Sequence, residues 1–491
     1  MRLSLGAFVA GFVTLALEVT SVRLLAPSFG ASLLVFTSVV GVILAGLAAG
    51  YAAGGRLADR RPAPRPLGWI FLSAGVLVLL LPAASRPLLA AARAALSGAS
   101  LPLFLWSLLA ATLLVLPATF LLGMVSPFLL RLKAKEIVGV GRAAGSLAAV
   151  GTTGSILGTF APVLVLIPTL GTAATLRLLG GLAVLTALLF LRGRRLAALA
   201  VAAAAALVPA RGAQAAGTLA QVESPYQHIA VERGGDGARI LRVNEGLAAQ
   251  STYVPGAKLS GTPYDAFLLA GGMRDGGIRT LAVIGLAGGT IAHDFQLQLP
   301  NVRVTGVELD PDVIALGRKY FTLDDPNLTV VNADGRVFLR ATHVRFDAIA
   351  VDVFRQPHIP FPFTTAEFFG LVRSRLEPGG VLVMNVAALD RHDRLLAGIL
   401  NTIAGVFREV WVFHPPGYMN FLVFASDAPG LRGRLAVDPV PADVEGWRLA
   451  MLRTMARVRP DPNLPVFTDD RSPAEVWGDL LFLRYLASER R

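Results

Sequence analysis

Residues 1–210 carry sixteen lysines and arginines but only three acids, Glu18, Asp59 and Glu136, and long apolar stretches run between them. A soluble core cannot absorb so much uncharged apolar sequence. Helices spanning a bilayer can, because each satisfies its own backbone polar groups. The rest of the chain holds 29 bases and 30 acids, so the formal charge of +12 divides into +13 for the first part and −1 for the second. A basic, acid-poor, apolar half reads as membrane helices with cationic cytoplasmic loops. It does not read as a nucleic-acid-binding protein, in which bases cluster on a soluble domain. Only 16% of the 491 residues are charged, against about 25% in ordinary soluble proteins. Cysteine is absent, which excludes disulfides, thiolate metal sites and cysteine nucleophiles.

The apolar stretches predict spans from Leu3 to about Pro27 and at about 33–54, 67–83, 102–130, 146–168 and 173–191. A weaker, alanine-rich candidate lies at 196–210, and with 84–98 also inserted the region 1–210 holds six to eight spans. The fourth span contains Pro117, Gly123 and Pro127, which predicts a kink, and the fifth is glycine-rich, which suits close helix packing in lipid. Arginines and lysines crowd the even loops, placing the N-terminus inside. Six spans leave the second part in the cytoplasm; a seventh exports it. Glu18 and Arg23 lie within the first span, where a carboxylate is either a functional group or half of a structural ion pair. The loop Gly55 to Arg60 is similar to the short cytoplasmic loop of major-facilitator transporters.

From about residue 211 the pattern changes. Val222 to Val231 and Arg239 to Val243 alternate like a hairpin around Gly234–Gly237. A helix is expected at 262–273, followed by strands at 279–284, 302–307, 328–331, 346–351, 380–386, 409–414 and 420–425 with helices between most of them. Such alternation predicts an open, mainly parallel sheet, and the motifs at its first three strand ends, taken next, give it the layout of a Rossmann-like methyltransferase-type α/β domain behind a small β-hairpin subdomain. The first strand ends in Gly285-Leu286-Ala287-Gly288-Gly289, and Glu308 stands at the end of the next. A glycine turn admits a ligand close to the backbone, and an acid at that spacing can accept from both ribose hydroxyls. Asp334-Gly335 after the third strand is placed to meet an adenine amino group; the competing reading is a turn-forming Asp-Gly.

These residues resemble the spermidine synthase (polyamine aminopropyltransferase) family, and the whole chain resembles bacterial proteins in which a multi-span membrane domain precedes such a domain. The similarity covers roughly 220–480, through Glu223 to Gln227, Leu241 to Gln250, Glu308-Leu309-Asp310-Pro311, Asp334-Gly335-Arg336, Phe346 to Asp352, Glu377 to Gly380 and the tail Thr468 to Pro473. It implies a membrane helical domain at 1–210, a hairpin subdomain at 217–255 and a nucleoside-binding transferase domain at 256–491. It further implies a multi-pass protein of the bacterial inner membrane with a cytoplasmic soluble domain, and a homodimer. The co-substrate implied is decarboxylated S-adenosylmethionine, or S-adenosylmethionine itself, with an amine or other small molecule as acceptor and no tightly bound cofactor. Gln227, Gly285, Gly288, Gly289, Glu308, Asp334 and Gly335 would hold the nucleoside, and Asp352 would take the catalytic role.

Departures from the family pattern bear on the acceptor. The glycine loop lacks the family's aspartate, Arg355 stands where the second acid of D-x-x-D is expected, and Tyr264-Asp265-Ala266 replaces Y-H-E. Either Asp265, Glu245, Asp352 or Asp470 rebuilds an amine site, or Arg355 and His358 face an anionic or neutral acceptor and the reaction is methyl transfer. A third reading makes the membrane half a transporter and the second half a nucleoside-binding regulatory module. Ile359 to Phe363 is read as an acceptor-pocket wall or a membrane-domain contact. No metal-ligand pattern occurs among the six histidines.

Overall fold

A computed structural model of the chain describes residues 1–29, 33–96, 103–134, 139–191, 217–244, 248–354 and 359–488. The candidate span 196–210, Glu245, Arg355 and His358 lie outside them. The chain divides into two compact units, the first essentially Met1–Gln214 and the second running from Ala215 with the exception of Glu223–Pro225.

The first unit contains α1 (Arg2–Phe29), α2 (Leu33–Arg60), α3 (Pro64–Leu96), α4 (Leu103–Leu114), α5 (Leu116–Lys133), α6 (Val140–Ala161), α7 (Ile167–Leu170) and α8 (Thr172–Ala187). Five helices among the described residues are long and apolar enough to cross a membrane; Thr172–Ala187 is apolar but shorter. The fourth predicted span is interrupted between α4 and α5 at Val115. Pro117 explains the break, since it lacks an N–H and its ring crowds the carbonyl one turn earlier. The fifth changes pitch through a π-helical turn at Pro162–Leu166.

Glycines set the helix pairing. A side chain on Gly154 or Gly158 of α6 would strike the carbonyl oxygens of Phe8 or Phe12 on α1, and one on Gly11 would strike that of Gly151. The α2–α5 seam repeats this contact for contact: Gly50 abuts the Phe120 carbonyl, Gly54 that of Met124, and Gly123 that of Leu47. Between α3 and α8 the contact is reciprocal, because added carbons on Gly75 and on Gly180 each lie 2.7 Å from the other's carbonyl oxygen. Equivalent seams and one reciprocal seam are what an internal two-fold axis through α3 and α8 produces, relating α1, α2 and α3 to α5, α6 and α8. Gly154→Leu should therefore unseat α6, costing about 1–3 kcal/mol by overpacking. Gly141, with open space around it, supplies the control: Gly141→Leu should leave the thermal midpoint of the detergent-solubilised chain unchanged while Gly154→Leu lowers it. Among the described residues Glu18 has no hydrogen-bond or ion-pair partner, so the structural pair with Arg23 is not formed.

The second unit opens with a four-stranded sheet in the order β1 (Thr218–Glu223), β2 (His228–Arg233), β3 (Arg239–Val243), β4 (Ser251–Tyr253). The segment expected as one strand from Val222 to Val231 is broken at Ser224–Gln227, where Pro225 cannot donate to a ladder. The α/β part follows as β5 (Thr280–Ile284), α9 (Thr290–Gln298), β6 (Arg303–Glu308), α10 (Pro311–Tyr320), β7 (Leu328–Asn332), α11 (Gly335–Ala341), β8 (Phe346–Val351), α12 (Ala366–Arg375), β9 (Leu376–Ala387), α13 (Arg394–Val406), β10 (Glu409–Phe413), β11 (Asn420–Ser426) and, later, β12 (Ala456–Val458). The strands form one eight-stranded sheet ordered β12-β10-β11-β9-β8-β5-β6-β7. Pairings from β7 through β6, β5 and β8 to β9 are parallel; β11 joins β9 antiparallel, as β10 joins β11 and β12 joins β10.

Side chains alternate between two apolar cores on opposite faces of this sheet. Ala282, Ile284, Ile349 and Val351 enter one, while Leu281, Val283, Ala348 and Ala350 enter the other. Both faces are covered, which is why the central strands read as unbroken apolar runs. The helix expected at 262–273 is a run of 3₁₀ turns, Pro263–Met273. Ile359 and Phe363 pack into the second unit's own core, Phe363 edge-on to Phe368 with centroids 5.1 Å apart, while Phe361 between them is exposed.

Candidate active site

At the carboxyl ends of β5, β6 and β8 the chain turns away on both sides of the central strand. In open α/β sheets such a crevice is the usual ligand site. Gly285 adopts φ +85° and Gly289 φ +95°, and the intervening Ala287 is also left-handed at φ +49°. A side chain at Gly285 would collide with the Asp352 carbonyl, and one at Gly289 with Leu323. Gly288 sits against Ser251 and donates its N–H to the Ser251 hydroxyl at 2.8 Å. The small sheet and the glycine loop are thereby tied together.

Glu308 ends β6 with one carboxylate oxygen on this loop and the other turned to its own strand end. One accepts from the Ala287 N–H at 2.8 Å, the other from the Asp310 N–H at 3.0 Å. Burial raises its carboxyl above the usual range, while those two N–H bonds draw it down. Each oxygen keeps a lone pair for a ligand hydroxyl. Asp310 is buried and caps α10 by accepting from the Asp312 N–H at 3.1 Å. The Gln227 amide donates to its other oxygen at 3.3 Å. A continuous polar rim thus runs from Gln227 through Asp310 and Glu308 to the glycine loop.

Asp334 and Gly335 arrive from the far side of β6. Asp334 caps α11 by accepting from the Val337 N–H at 2.9 Å, so the turn-forming role is realised through one of its oxygens. Gly335 packs on the last residue of β5, where any side chain would strike Ile284. Arg336 forms two hydrogen bonds to Asp469, at 2.8 and 2.6 Å, and the Thr365 hydroxyl donates to the same carboxylate at 2.8 Å. These bonds clasp the tail Thr468 to Pro473 against the start of α12. The charged partner Arg336 holds the Asp469 carboxyl below its ordinary range.

Asp352 continues β8 and is buried. Its carboxyl is pushed up to about 7 by burial, against a hydrogen bond from Asn385 that lowers it. Tyr264 feels its charge: burial and then the Asp352 carboxylate raise the phenol well above its usual value. The Tyr264 hydroxyl donates to the Ala249 carbonyl at 3.3 Å. A neutral phenol beside a carboxyl that titrates near neutrality can exchange a proton with a bound group at physiological pH.

Of the other acids considered for an amine site, Asp265 is occupied. It accepts from the Ser260 N–H and hydroxyl at 3.0 and 2.6 Å and from the Gly261 N–H at 3.1 Å. Burial, and then the charge of Asp265, raise the neighbouring Asp294. Asp470 is exposed. Tyr264, Asn385 and Ser251 were not among the residues singled out from the sequence. The Tyr264-Asp265-Ala266 match pointed toward the first, whereas nothing local marks the other two. A surface groove of about 390 Å³ lined by Arg345, Arg373, Gly379, Gly380 and Phe407 lies at the amino ends of β8 and β9, the opposite edge of the sheet.

Residues 267–427 match the spermine/spermidine synthase domain. A probable polyamine aminopropyl transferase of Bifidobacterium longum is 31% identical over 276 residues, covering 52% of this chain and 61% of that protein. The polyamine aminopropyltransferase of Chromobacterium violaceum is 34% identical over 125 residues, 25% of this chain and 48% of that one. The chain therefore spans less than two thirds of either relative. Among solved structures, a probable spermidine synthase from Corynebacterium glutamicum aligns over 53% of this chain and 98% of its own, at 22% identity and a TM-score of 0.40. Residues 267–427 are thus similar to the spermine/spermidine synthase domain, within a C-terminal part whose relatives are named polyamine aminopropyltransferases.

Proposed function

We propose that the second unit transfers an aminopropyl group from decarboxylated S-adenosylmethionine to an amine acceptor, with Asp352 as the proton acceptor. The observation that carries this reading is a buried carboxyl, held near neutrality, at the carboxyl end of β8 and beside the glycine loop. In the reaction the amine nitrogen attacks the methylene carbon next to the sulfonium. The new C–N bond forms as the C–S bond breaks, methylthioadenosine leaves with the electron pair on sulfur, and the proton lost by nitrogen passes to Asp352. Glu308 would accept the ribose hydroxyls, Gln227 and the glycines Gly285, Gly288 and Gly289 would shape the nucleoside cradle, and Asp334 and Gly335 would meet the adenine. Positioning supplies most of the rate, because displacement at a sulfonium needs little covalent help.

The first unit would hold this site at the bacterial inner membrane, with the second unit in the cytoplasm where the donor is made and with pairing of two copies through that unit. A methyl-transfer reading competes, favoured by the acid-free glycine loop and by an Asp265 already saturated with hydrogen bonds. Calorimetric titration of the full chain separates the two. The decarboxylated donor and methylthioadenosine should bind more tightly than S-adenosylmethionine, whose extra carboxylate meets no cation among the described residues of this rim. Preference for S-adenosylmethionine would overturn aminopropyl transfer, and binding of none of the three would remove both enzymatic readings.

A further inference from the structure

Three side chains from three adjacent strands meet behind Asp352. Asn385 on β9 donates its amide N–H to one Asp352 oxygen at 2.8 Å. The carbonyl oxygen of the same amide accepts from the Asn420 amide at 2.9 Å. The ladder sets this line up. β8 and β9 pair Val351 with Met384, so Asp352 and Asn385 follow side by side. β11 pairs Leu422 with Asn385, which brings the first residue of that strand, Asn420, within reach. Asn385 is buried, and so is Asp352.

An asparagine amide offers one accepting and one donating end, and turning it over exchanges them. Facing a carboxyl alone, Asn385 could present either. With Asn420 donating to its oxygen, only the NH₂ remains for Asp352. That choice fixes which Asp352 oxygen is free: one is held as an acceptor by Asn385, so a proton arriving at the carboxyl sits on the other. A donor aimed at the carboxylate also favours its charged form, opposing burial.

We infer that Asn385, oriented by Asn420, is a positioning residue that reserves one Asp352 oxygen for the proton of the reaction and favours the charged form of the carboxyl. The inference rests on the reading of Asp352 as the proton acceptor. The groups facing Asp352 are few among the described residues. Tyr264 from the 3₁₀ run is the titratable side chain whose charge couples to it. Gly285 at the end of β5 presents backbone, and Asn385 and Asn420 are not titratable. His414 stacks on Phe421, the residue after Asn420, with centroids 4.2 Å apart.

The test uses the full chain in detergent and isotope-edited infrared titration of the aspartate carboxyl bands, with Asp352→Asn identifying the band of Asp352. Asn385→Leu should raise the Asp352 midpoint by about one pH unit or more, through loss of the donor to the ionised form. Asn420→Ala, at the less buried end of the line, should move it in the same direction by less. Asn420→Ser, which restores a donor, should return it toward the native value. The acid limb of kcat/KM should shift alongside the band in each variant. An unmoved Asp352 band in Asn385→Leu and Asn420→Ala would overturn the inference. A band that moves while the acid limb stays fixed would instead overturn Asp352 as the proton acceptor and leave the positioning role of Asn385 standing.

Discussion

Asp352→Asn should lower kcat/KM for aminopropyl transfer by about 10²–10⁴-fold while leaving the affinity for methylthioadenosine within a few-fold of native. Asparagine is nearly the same size and can still accept from Asn385, so packing at the end of β8 is preserved and only the proton acceptor is lost. The pH dependence carries the sharper signature. The carboxyl titrates at about 7 against an ordinary 3.8, so the native rate should climb as pH rises through neutrality, as the basic form fills. In Asp352→Asn the residual rate should lose that limb. The same shift acts on stability with the opposite sense. Between about 4 and 7 the folded protein holds a proton on Asp352 that the unfolded chain has released, so this group's contribution falls as pH rises across the window. Asp352→Asn should flatten that part of the stability profile. An unchanged acid limb in the variant would remove Asp352 from the chemistry.

The second large effect is expected at Glu308. Glu308→Ala should weaken methylthioadenosine binding by about 10- to 100-fold, since hydrogen bonds to a charged carboxylate contribute about 1.5–3 kcal/mol. Two causes add. The ribose loses its acceptor, and the Ala287 N–H loses the bond that holds it at 2.8 Å. Ala287 is a non-glycine residue in a left-handed conformation, a state that costs about 1–2 kcal/mol and persists only where its surroundings enforce it. Adding Ala287→Gly to Glu308→Ala relieves that strain and should recover part of the lost affinity. The remainder, which glycine cannot restore, measures the ribose contact. Unchanged affinity in Glu308→Ala would mean that the nucleoside does not sit on this rim.

Much of this site was legible in order along the chain. The glycine turn, Glu308 and Asp334-Gly335 follow consecutive strands, and the fold that joins them needs only apolar runs of strand length separated by helices. Asn385 was not legible, because it sits within an apolar strand and acquires its meaning from Asp352, thirty-three residues earlier, and Asn420, thirty-five later. The fate of Asp265 was equally hidden. Its sequence neighbours suggested an amine site, whereas the turn at Ser260 and Gly261 consumes its hydrogen-bonding capacity.

In the first unit the apolar stretches, the break ahead of Pro117 and the glycine enrichment of α6 could all be read directly. Which helix each glycine meets could not: Gly154 was known to favour a close neighbour, but only the folded unit pairs it with Phe8 and repeats that seam between Gly50 and Phe120. Sequence by itself determined the division into an apolar basic half and a near-neutral α/β half, along with the order of the glycine turn, Glu308 and Asp334-Gly335, because those depend on local composition and on the spacing between neighbouring elements. Tertiary structure decided which helices the glycine seams join, the strained Ala287 and the polarity of the amide behind Asp352. Each of these depends on groups brought together from distant parts of the chain, where burial and hydrogen-bond direction, rather than sequence spacing, set the chemistry.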